Sequence, residues 1–173
     1  MSTSTDNLVV LPEGKPSVRL PVARAILIGG TAAAFLDIGY AFTVWSLAGV
    51  GPEVILRAIA SGVLGAPAFG GGAATAILGA VLHWLIALAM AAAYVVAGTR
   101  LPTLVRRPFV WGPLYGLVLF FIMDRIVVPL SAAPNGAPPS MAMVLGQVAA
   151  HIALVGLPIA LAARHFSARS RSA

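Results

Sequence analysis

Four apolar runs, residues 25–48, 73–97, 109–131 and 141–163, are each long enough at about 1.5 Å per residue to cross a hydrocarbon core of roughly 30 Å. Lipid offers the backbone no hydrogen-bond partners, so a run of this length must satisfy its own N–H and C=O groups as a helix. The expected fold is all-α: a polytopic membrane protein, a four-transmembrane-helix bundle over residues 25–163. A chain with 60% hydrophobic and 9% charged residues carries too little polar surface to cover a water-soluble domain, which removes that alternative.

The connectors carry local signals. Residues 1–24 contain Pro12, Gly14 and Pro16 without a helical apolar period and read as a flexible cytoplasmic tail. Ser46-Leu47-Ala48 has the small-x-small form of a signal-peptide cleavage site, but Asp37 near the middle of an over-long apolar region argues against cleavage. Gly51-Pro52-Glu53 starts a helix, with proline at the first position and a carboxylate in the first turn. The segment 52–64 is too short to span and is expected to be an interfacial or re-entrant helix. Gly70-Gly71-Gly72 lacks the Gly-Lys-Ser/Thr of a phosphate loop and reads as an entry into the second span.

Charge sets orientation. With the N-terminus inside, Lys15, Arg19, Arg24, Arg100, Arg106, Arg107, Arg164, Arg169 and Arg171 are cytoplasmic, Arg57 is outside and Arg125 lies in the membrane. Both termini are then cytoplasmic, and residues 164–173 form a basic tail. The net charge of +6 and pI near 11.2 follow from this loop bias, so the expected partner is the lipid bilayer and no nucleic acid. The absence of cysteine removes disulfides, thiolate metal sites and thiol nucleophiles.

The polar residues inside the spans are the candidate site: Asp37, His83, Asp124, Arg125, Gln147 and His151. Counted from the ends away from the termini, they fall in one layer with a depth spread of about 7 Å, excluding Gln147, which lies one turn from His151. A mid-span Asp or Arg costs roughly 2.5–3.5 kcal/mol, which the apolar residues of the third span offset. Asp124 and Arg125 differ by about 100° around an α-helix and cannot face one neighbour. Side chains lean toward a helix N-terminus, which aims Arg125 at the depth of Asp37; an Asp37–Arg125 ion pair is therefore expected, with Asp124 left to the histidines.

Three readings of the histidines stay open. They are interhelical glue to Asp124, Gln147 or backbone carbonyls, or part of a proton or ion path, or a metal or b-type haem site with His83 and His151 as axial ligands. No nucleophile elbow and no His-Glu-x-x-His is present, so the reading leans away from an enzyme without excluding an intramembrane reaction of the His/Asp layer.

Spans one and three each place a glycine eight residues before an aspartate (Gly29 and Asp37, Gly116 and Asp124), and spans two and four read Leu-Gly before a histidine, a hint of a parallel repeat. The run Leu56-Arg57-Ala58-Ile59-Ala60-Ser61-Gly62, with Ala68-Phe69-Gly70-Gly71, Leu78-Gly79-x-x-x-His83 and Val128-Pro129-Leu130-Ser131, resembles a group of small bacterial four-span membrane proteins of unknown function. That resemblance, over residues 25–131, implies a bacterial inner membrane and no activity. The preferred function at this level is an accessory or scaffold subunit without a cofactor, in a homo-oligomer or larger complex through small-residue faces and Gly112-x-x-x-Gly116. A proton-coupled or ion-conducting transporter and a haem electron carrier are the alternatives.

Overall fold

The computed structural model describes residues 19–136 and 139–169, and every regular element among them is helical. Among the described residues four helices are long and apolar enough to span a membrane: Pro21–Leu47, Gly72–Arg100, Pro108–Leu130 and Met141–Ser167, called spans one to four. The first helix begins at Arg19, ahead of the expected start at Ala25, and the last continues to Arg169 through the expected basic tail. The remainder of both expected tails lies outside the described residues.

Helix ends follow local chemistry. Span one stops in a Schellman turn: Val50 N–H donates to Trp45 O and Gly49 N–H to Ser46 O, with Gly49 at φ +83°, a conformation that glycine alone adopts cheaply. The short helix Pro52–Leu64 starts on Gly51, whose carbonyl accepts from Val54 and Ile55. Span four is capped by Ser140, whose hydroxyl accepts from Met143 N–H.

The spans alternate in direction. Gly30 meets Leu88 and Ala34 meets His83, while Gly29 meets Ala162 and Gly112 meets Ala160, so span one runs antiparallel to spans two and four, and span three antiparallel to span four. Span one packs along both spans two and four, and span three packs chiefly on span four. Toward the termini the bundle is filled by small residues around Tyr94, Val95, Leu119 and Ile159, including Ala25, Ala33, Ala91, Ala160 and Ala163. Such residues let backbones approach closely where lipid supplies no hydrophobic drive between helices. Gly112 and Gly116 lie against Leu157 and His151 of span four, so the GxxxG face expected to recruit other chains is occupied within this one.

Toward the loop end the short helix replaces this core. Its Leu56 carbonyl lies on Gly79, about 10 Å down span two from Gly72, where any side chain would collide. Arg57 ties the helix in place by pairing with Glu53 and donating to Phe69 O and Gly72 O. Ala132 N–H donates to Gly62 O and joins the end of span three to the same cap.

Spans three and four are not α-helical throughout. Met123–Val127 and His151–Gly156 are π-helical, and each is followed at its second residue by a proline, Pro129 or Pro158. Proline removes an N–H and presses on the carbonyl four residues earlier, and widening the preceding turn relieves that contact.

Candidate functional site

Between the terminal-half core and the short helix lies a cavity of about 350 Å³. Asp37 from span one, His83 from span two, Asp124 from span three and Gln147 and His151 from span four line it, so five of the six candidate residues share one space. The apolar wall comes from Trp45, Ile55, Ile59, Phe120 and three methionines, Met90, Met123 and Met143. Methionine is flexible and polarizable, so this wall can adapt to more than one shape.

Arg125 is not in that wall, and the expected Asp37–Arg125 pair does not form. Arg125 Nε forms an ion pair with Asp124 Oδ2 at 2.9 Å, with the arginine side chain 77% exposed on the outside of the bundle. The expectation failed because it assumed α-helical spacing; these neighbours sit in the π turn, where more residues share each turn and adjacent side chains diverge less. Asp124 therefore bridges the cavity and the outer surface.

Asp37 instead approaches His151, its Oδ1 3.9 Å from Nδ1, an ion-pair distance when the imidazole is protonated but too long for a hydrogen bond. The assignment of Asp124 to the histidines is corrected accordingly. His151 Nδ1 lies 3.1 Å from Gln147 O and 3.4 Å from Gln147 Nε2, and the tautomer decides whether it donates to the first or accepts from the second. Phe120 meets the imidazole edge-on. His83 Nε2 donates to Ala34 O at 3.0 Å, and the adjacent Trp84 Nε1 donates to Thr31 Oγ1, so span two is stitched to span one by consecutive residues. The glue reading of His83 thus has a specific partner, the backbone of span one rather than a carboxylate.

One atom in this layer stands out: Asp37 Oδ1 is buried without a hydrogen-bond partner. Buried polar atoms are paired in the great majority of cases, and an exception calls for an explanation in strain, a functional role or a bound water or ion. Among the described residues no group of three or more His, Cys, Asp or Glu is placed to hold a metal ion. Each histidine keeps one ring nitrogen free of a backbone carbonyl, and a ligand bridging His83 and His151 would have to use those. The site offers two carboxyl groups, two imidazoles and an amide inside an apolar shell, which is chemistry for holding a cation or relaying a proton.

Sequence reasoning missed the methionine and Trp45 contribution, for which the only signal was their position inside or at the end of spans. No family model, curated protein or solved structure matches the chain. Fold and site together define a small four-span integral membrane protein in contact with the lipid bilayer, with a largely apolar cavity in the bundle that holds a few polar side chains.

Proposed function

We propose that this is a multi-pass protein of a bacterial inner membrane, with both termini cytoplasmic, that binds a small organic cation in the cavity and carries it in exchange for protons. The buried, unpartnered Oδ1 of Asp37 carries this reading. A carboxylate oxygen removed from water costs several kcal/mol unless a donor meets it, and an ammonium group is the donor that also compensates the charge. The apolar wall fits the body of such a solute, and its methionines suit a set of related shapes. His151 Nδ1, 3.9 Å from the same carboxylate, is a titratable neighbour for it. The packed terminal half supports a carrier over an open pore, because a core of small apolar residues lies on that side of the cavity.

The test uses the full chain in lipid nanodiscs, with phenethylamine as probe and its alcohol analogue as the neutral control, read by tryptophan fluorescence. The amine is expected to bind at least about tenfold more tightly than the alcohol, and Asp37→Asn to erase that preference. In vesicles loaded with a pH-sensitive dye, the amine gradient should move protons in the wild type and not in Asp37→Asn. Equal amine binding by wild type and Asp37→Asn refutes the reading.

An accessory-subunit role has one observation in its favour, the loop half of span three, where residues 123–130 contain no buried side chain. It predicts stable co-purification with another membrane protein.

A further inference from the structure

Span three is the least buried of the four spans, and its outward face carries an ion pair where hydrocarbon is expected. Leu114, Val118 and Phe121 are exposed and recur at spacings of four and three along the α-helical part of span three, the pattern of a helix–helix seam, and Arg125 is exposed one turn beyond them. Arg125 sits about 7 Å from the helix end at Leu130, and its side chain, leaning toward the helix N-terminus, points deeper into the membrane. Charges inside spans almost always face protein or water, and a protein neighbour at this depth would shield the pair from lipid.

We infer that the neighbour is a second copy of this chain, packed through span three in a two-fold dimer whose axis runs along the membrane normal. Copies that share one orientation hold identical residues at identical depth, so the two-fold brings Arg125 of each copy to the level of Asp124 of the other. The adjacent cation and anion are thereby self-complementary. An unrelated partner would need its own opposite charges at that depth. The Gly112-x-x-x-Gly116 face is already spent on span four, which leaves this seam as the route to association through span three. The inference is independent of the solute carried by the cavity.

The chain has no cysteine, so single-cysteine variants report contacts without background. In native membranes, oxidation should link Val118→Cys or Phe121→Cys chains into dimers, while the more exposed Phe35→Cys and Ile77→Cys on spans one and two stay monomeric. These variants leave both charges intact. A charge exchange then tests the pairing. Asp124→Arg puts two positive charges at the seam and Arg125→Asp two negative ones, and each alone should weaken dimerisation roughly three- to tenfold. Co-expressing the two variants with different tags should restore dimers containing one of each. Seam cysteines that link no better than the controls, a co-expressed pair that fails to associate, or a different membrane protein held at the seam would each overturn the inference.

Discussion

At the scale of single residues, the glycines separate into those a methyl group would wreck and those it would help. A Cβ on Gly116 would enter the carbonyl of His151, so Gly116→Ala must push spans three and four apart at the level of the cavity. Overpacking of this kind costs about 1–3 kcal/mol and here also displaces an imidazole of the site. Gly39 lies in the same kind of helix, but a Cβ there meets nothing within 4 Å. Gly39→Ala should therefore be neutral or stabilising by up to about 1 kcal/mol through helix propensity. Thermal unfolding of the two variants in one detergent checks the contrast, and a Gly116→Ala protein as stable as wild type would contradict the described packing. Both glycines look alike in the sequence, as do Gly29 and Gly116, although these two turn out to face span four from different spans. The same limit applied to charge: the sequence showed that Asp37, Asp124 and Arg125 are intramembrane, but partner choice depended on a π turn that α-helical periodicity cannot show.

Among the elements, the four spans were legible because roughly twenty consecutive apolar residues have one solution in lipid, and the short helix because proline and glutamate mark its start. The two π turns were hidden, although Pro129 and Pro158 had been in view; a proline says that a helix must adjust, and the neighbours decide whether it kinks, widens or ends. How the short helix is anchored was hidden as well, since Arg57 reaches carbonyls at Phe69 and Gly72 that only the folded loop brings near. This anchoring makes a prediction about the element as a whole. Ser61, 1% exposed, is buried under the helix, and a Ser61→Cys variant should react slowly with a water-soluble maleimide. Adding Arg57→Gln removes the pair with Glu53 and weakens both carbonyl contacts, which should raise the labelling rate by about ten- to a hundredfold, given about 1.5–3 kcal/mol for hydrogen bonds to a charged group. An unchanged rate would mean that packing on Gly79 holds the helix without its arginine.

For the whole molecule, the folded arrangement gathers the basic residues at one end. Arg100, Arg106 and Arg107 border the loop between spans two and three, and Arg24 and Arg164 lie at the same end of spans one and four, while Arg57 occupies the cap at the other end. Basic loops resist translocation, so this asymmetry should keep the terminal end in the cytoplasm and leave the cap on the outer side. The consequence reaches the site, because a solute entering from the cap side meets Asp124 before Asp37, and the packed alanine layer lies beyond both. In intact cells, Asn135→Cys and Ala66→Cys should label with a membrane-impermeant maleimide, and Thr103→Cys only after the membrane is opened. Replacing Arg100, Arg106 and Arg107 together with glutamine removes the central basic loop but leaves the basic residues of spans one and four, so the pattern should weaken without inverting. Labelling of Thr103→Cys from outside in the otherwise unchanged chain would reverse the orientation, and with it the side from which the cavity is filled.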